Sequence, residues 1–242
     1  MKALKHHLRR FLRARGVYVH ALDIYGGFYS IIKRLKVGQI RRRWRRLNRH
    51  NYTAVGNTAR DVYFPLSSVR VGKHTYVTLH ILGYGTPGEG LSIGCYCSIA
   101  SGVTFVLGGG HNLNTFSTYP FRSVFQDREL EALTKGAIIV EDDVWIGTGA
   151  MILSGVTLRR GTVVAAGSIV SQSSLAYSII GGNPAKVIKM RFEPGLIEKL
   201  MGIELDLIDE GRMRENIDML YRPLSADLLD EIMKKLRQTD EK

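Results

Sequence analysis

The sequence predicts a mainly β protein, a parallel β-solenoid with a basic helical segment on its N-terminal side and helices on its C-terminal side. Three observations carry that expectation. Aliphatic residues recur every six positions at Val140, Ile146, Ile152, Leu158, Val164 and Val170. Residues 1–50 hold fifteen Lys or Arg against one acid, Asp23, so in a chain of net charge +12 the remainder is close to neutral. Helical periodicity returns only after a stop at Gly181-Gly182-Asn183-Pro184. A period of six suits neither an amphipathic helix nor an alternating strand. It fits a solenoid in which each hexapeptide supplies one short strand and one corner, its leading aliphatic residue pointing into a shared interior.

Residues 1–51 form the basic amphipathic segment. Leu4, Leu8, Phe11 and Leu12 share one helical face, and Gly16 ends that stretch. Residues 18–49 mix Tyr25, Phe28, Tyr29, Ile31, Ile32 and Leu35 with an arginine run around Trp44, and Gly26-Gly27 offers a place for a break. Three uses suit such an arm. It can cap the open end of the solenoid, it can lie on an anionic membrane with its apolar and aromatic side chains in the interface, or, less well, it can bind nucleic acid. No apolar run is long enough to span a bilayer, and Arg9, Arg10, Arg13 and Arg15 interrupt the stretch a secretory signal would need. The expected location is therefore cytoplasmic, with the inner face of the membrane as the site of any peripheral contact.

Residues 52–182 form the solenoid. Its register extends upstream through Phe105, Ile99-Ala100, Ile93-Gly94, Val77 and Val71-Gly72, and the Gly or Ala after each leading residue is expected to let the chain turn the corner. Gly83 to Gly88 reads as a surface loop. Residues 111–137 abandon the period, and long loops on repeat proteins usually carry function. Cys95 and Cys97, two apart on a strand, point to the same side and are expected to stay reduced. His74 and His80 stand six apart, on adjacent faces, so a zinc site of the kind that needs three converging histidines is not expected. Residues 183–242 carry helical patterns near 194–201, 210–220 and 225–237.

Taken in order, the hexapeptides, Gly109-Gly110-His111, Ser117-Thr118-Tyr119-Pro120-Phe121, Asp143-Val144-Trp145-Ile146-Gly147 and Gly182-Asn183-Pro184-Ala185-Lys186 resemble the hexapeptide-repeat acyltransferases. The nearest branch is that of the xenobiotic acetyltransferases, which include streptogramin and chloramphenicol acetyltransferases, and the related polysaccharide O-acetyltransferases. The resemblance covers about residues 70–220. It implies a left-handed parallel β-helix, an exception to the usual crossover hand, assembled as a homotrimer with active sites between subunits, and acetyl-CoA as donor.

The same resemblance implies that His111 is the general base, for which imidazole is suited near neutral pH. Trp145, Gly147, Ala165, Ala166 and Gly167 would line the coenzyme groove, and Lys186 with Arg191 would hold its phosphates. Asn112, Tyr119 and Phe121 would contact the acceptor, although the two rings could equally anchor the loop on a neighbouring subunit. Where drug-modifying members follow the histidine with Arg-Met-Asp, this chain has Asn112-Leu113-Asn114. The expectation is therefore an O-acetyltransferase acting on a sugar hydroxyl of a surface polysaccharide or its precursor. The alternatives are N-acetylation of a nucleotide-linked amino sugar, O-acetylation of an antibiotic, and a β-helical scaffold docked by its basic arm.

Overall fold

The computed structural model describes residues 20–56, 66–126 and 131–237; the helical expectation for residues 1–15 lies outside them. The solenoid has three faces. Strands β2 (Val69–Val71), β4 (Leu91–Ile93), β7 (Ile138–Val140) and β10 (Thr157–Leu158) pair in parallel as the first. The second comprises β1 (Tyr52–Val55), the start of β3 (Tyr76–Leu82), β5 (Ser98–Ile99), β8 (Trp145–Ile146), β11 (Val163–Val164) and β13 (Ser178–Gly182). The end of β3 continues onto the third, with β6 (Thr104–Val106), β9 (Met151–Leu153) and β12 (Ile169–Val170).

Register explains the period. Val140 lies on Leu158, Ile146 on Val164 and Ile152 on Val170, so three hexapeptides make one eighteen-residue coil. Ile93, Ile99 and Phe105 pair with Val140, Ile146 and Ile152 in the same way across the inserted loop. All nine of these side chains are buried, as are Val71 and Val77. A second buried register, Val144, Ala150 and Val156, continues as Thr162, Ser168 and Ser174. These polar members are satisfied in place: Thr162 Oγ1 meets Ser174 Oγ at 2.7 Å and Ser168 Oγ donates to the Ala165 carbonyl at 2.7 Å.

The corners correct one expectation. The residue after the leading aliphatic is not where the chain turns. The left-handed position falls two residues later, at Gly149, Gly155, Gly161 and Gly167, with φ between 68° and 76°. Gly147 is needed for a different reason, since a Cβ there would stand 2.6 Å from the Ala166 nitrogen of the next coil.

A single helix, His20–Leu47, runs unbroken through Gly26-Gly27. Trp44, 1% exposed, enters the main core with Val55, and its indole N–H donates to Thr53 Oγ1 at 3.0 Å. Arg41 Nε donates to the Val55 carbonyl at 3.1 Å. The helix thus closes the end of the solenoid, and Trp44 is turned away from any membrane interface. At the other end β13 reverses at a cis Asn183-Pro184 bond into antiparallel β14 (Ala185–Met190). Helices Pro194–Met201, Glu210–Glu215, Ile217–Leu220 and Ala226–Arg237 follow. The last places Leu228, Ile232 and Leu236 at helical spacing in a small separate core with Met213, Leu220 and Leu224.

Candidate active site

The loop that opens with His111 leaves the third face after β6, at the edge shared with the first. Its neck is closed by Gly110 and Leu133, whose backbone groups exchange hydrogen bonds of 2.9 and 2.8 Å. Gly109 turns left-handed (φ 88°), and a Cβ there would lie 2.6 Å from the Tyr84 ring. Tyr84 is itself held by Glu89. This carboxylate, 9% exposed, accepts the Tyr84 N–H at 3.0 and 3.1 Å and the Gly85 N–H at 3.0 Å. A Cβ on Gly108 would come within 2.4 Å of Glu89 Oε1. The loop read from composition as mere surface is therefore the buttress of the His111 neck. Sequence reasoning missed Glu89; an acid enclosed as Gly88-Glu89-Gly90 was the available signal.

His111 is exposed, and its Nδ1 lies 2.6 Å from the Thr118 carbonyl oxygen. A carbonyl can only accept, so in the neutral ring Nδ1 carries the proton and Nε2 keeps its lone pair. The ring is thereby oriented and held in the tautomer that can take a proton. It borders an open concavity of about 510 Å³ with Leu113, Thr118, Tyr119 and Pro120. A second concavity on the same loop brings Asn112, Phe121 and Glu131 beside His111.

Asn112 Oδ1 accepts the Asn114 N–H at 2.9 Å, an Asx turn that shapes the loop directly after the histidine. Tyr119 and Phe121 pack with ring centroids 5.0 Å apart, and both contact Phe125. Leu113 and Phe116 stand 80% and 102% exposed on this loop.

The expected donor residues gather on another edge. Gly147, Ala165, Ala166 and Gly167 lie where the second face turns into the third, and Ala166 and Gly167 are exposed. A Cβ at Gly149 or Gly167 would meet nothing within 4 Å, so the strip offers backbone to a thin ligand. Trp145 is 55% exposed on the second face, above Val163 and below Ser98 in the parallel stack. Within one chain, then, this strip and His111 stand at different edges of the prism. Lys186, on β14, is exposed. Arg191 is engaged internally: Nη1 donates to Asp143 Oδ2 at 3.1 Å and to the Gly161 carbonyl at 2.7 Å, with the guanidinium stacked over Tyr177 and Phe192. It braces the corner between the first and second faces, a role the sequence did not announce.

The cysteines are structural. Cys97 is buried, donates to the Glu141 carbonyl at 3.1 Å, and has its thiol pushed up to about 12 by burial. Burial also raises Cys95. Among the described residues no group of three His, Cys, Asp or Glu is placed to hold a metal ion.

No protein-family model matches the chain. A probable macrolide acetyltransferase of Lysinibacillus sphaericus is 37% identical over 160 residues, which is 63% of this chain and 87% of that protein. A chloramphenicol acetyltransferase of Agrobacterium fabrum is 36% identical over 149 residues, 54% of this chain and 71% of that one. A virginiamycin A acetyltransferase of Staphylococcus aureus is 34% identical over 162 residues, 64% of this chain and 71% of that one. Among solved structures, a hexapeptide-repeat-containing acetyltransferase from Vibrio cholerae is 24% identical, with a TM-score of 0.48 over 68% of this chain and 93% of that one. With the eighteen-residue coils, the loop at His111 and sequence identity at this level over most of the relatives' length, the chain belongs to the hexapeptide-repeat acetyltransferases of left-handed parallel β-helix fold, in their xenobiotic acetyltransferase branch.

Proposed function

We propose that this acetyltransferase carries the acetyl group of acetyl-CoA directly to a hydroxyl of an acceptor of the kind its relatives' names give, a chloramphenicol-, macrolide- or streptogramin-type antibiotic. The observation that carries the chemistry is the 2.6 Å bond from His111 Nδ1 to the Thr118 carbonyl, which leaves the lone pair on Nε2 of a ring that lines an open concavity. Nε2 takes the hydroxyl proton as the acceptor oxygen attacks the thioester carbonyl. The tetrahedral oxyanion collapses, the C–S bond breaks, and the departing thiolate recovers the proton from His111. The products are an acetyl ester and CoA, with no acyl-enzyme. Asn112, Tyr119 and Phe121 meet the acceptor in this reading.

The working unit is a homotrimer. The strip at Gly147 and Ala165 to Gly167 serves one site, and the His111 loop of an adjacent copy reaches it, because in a single chain the two lie at different edges. The exposed Leu113 and Phe116 are the apolar surface that such a contact would cover. Trp145 borders the donor, and Lys186 is the cation for its phosphates in this reading; Arg191, engaged with Asp143 and the Gly161 carbonyl, has less freedom to join it.

A second acceptor, a sugar hydroxyl of a surface polysaccharide or its precursor, is favoured by Asn112-Leu113-Asn114 and by the basic helix, which would hold the enzyme at the inner face of the membrane. The relatives at 34–37% identity favour the antibiotic class over it. A screen of chloramphenicol, macrolides, streptogramins and activated sugars with acetyl-CoA, read by thiol release, separates them. Turnover of an antibiotic hydroxyl is expected. Turnover confined to sugars would establish the second reading, and absence of turnover with bound acetyl-CoA would remove both.

A further inference from the structure

The His20–Leu47 helix has two sides with different tasks. Ile40 and Trp44 turn towards the solenoid. On the opposite side Ile31, Leu35, Arg42 and Arg46 fall on one helical face and are exposed, with Lys36 and Arg43 beside them. Residues 31–49 contain nine Lys or Arg and no acid. Among the described residues, no acidic side chain pairs with Arg42, Arg43 or Arg46. A protein stabilising a helix for its own sake would intersperse acids at i, i+4; this one gathers like charge on its exposed side.

We infer that this outward face docks on an anionic lipid membrane. Ile31 and Leu35, 54% and 59% exposed, supply aliphatic surface for the boundary between headgroups and acyl chains, and Arg42, Arg43 and Arg46 pair with lipid phosphates. Charge complementarity is confined to this end of the molecule, since residues 51–242 carry nineteen basic and twenty-one acidic side chains. The attraction therefore orients the solenoid with its capped end towards the surface. Nucleic acid is the poorer occupant. Single-strand binding relies on exposed aromatic rings for base stacking, and Trp44, the aromatic among the described side chains of this helix, is buried.

Deleting the arm would uncover the core that Trp44 closes, so the test is charge reversal in the full chain. Sedimentation with vesicles of phosphatidylcholine alone, and of phosphatidylcholine with phosphatidylglycerol, should show binding to the second only, weakening as salt rises. The triple variant Arg42→Glu/Arg43→Glu/Arg46→Glu should bind anionic vesicles roughly a hundredfold more weakly. Lysine at the same three positions should retain binding, which separates loss of charge from loss of fold. Acetyl transfer by the glutamate variant should be unchanged. Equal binding to neutral vesicles, undiminished binding by the glutamate variant, or displacement from vesicles by an equal concentration of single-stranded RNA would each overturn the proposal.

Discussion

His111 can be singled out in the sequence, but the orientation of its ring cannot. The tautomer depends on the Thr118 carbonyl seven residues away, and nothing in residues 111–118 announces that the loop folds back to deliver it. Glu89 is the complementary case. It lies twenty-two residues before His111, in a segment that composition marks only as a loop, yet its carboxylate fixes the backbone on which Gly109 rests. Glu89→Ala should leave the Tyr84 and Gly85 N–H groups without their acceptor, costing about 1–3 kcal/mol of stability. The misplaced neck should lower kcat by about tenfold or more, while the KM for acetyl-CoA, whose proposed strip is on another edge of the chain, should stay near wild type. Loss of thermal stability with kcat unchanged would reduce Glu89 to a purely structural role.

Among elements, the six-residue strands were readable because each pairs with its equivalent one coil away and buries the same position every time. The second register escaped notice because it runs from Val144 through Ala150 to Thr162 and Ser168, where burial is sustained by hydrogen bonds instead of apolar character. The N-terminal helix shows the converse problem. Its composition suits a cap, a membrane anchor or a nucleic-acid arm; tertiary packing takes Trp44 for the core and leaves Ile31, Leu35 and arginine side chains exposed. Trp44→Ala should therefore cost about 3–5 kcal/mol of folding stability, measured by denaturant unfolding. An unchanged midpoint would mean that the helix is not part of the cooperative core.

On the scale of the whole molecule, what a period cannot encode is which edges work together. His111 stands on the third–first edge and the small-residue strip proposed for the donor on the second–third, so within one chain the two lie apart. The family relationship supplies the donor, and the acceptor is expected to meet the loop residues Asn112, Tyr119 and Phe121, which line one concavity with His111. All of this turns on His111 acting as the base. The direct test is the turnover of His111→Ala with saturating acetyl-CoA and an accepted alcohol, alongside its affinity for acetyl-CoA. A fall in kcat of about a hundredfold or more, with acetyl-CoA affinity and assembly unchanged, is the expected result. Turnover near wild type would contradict the account.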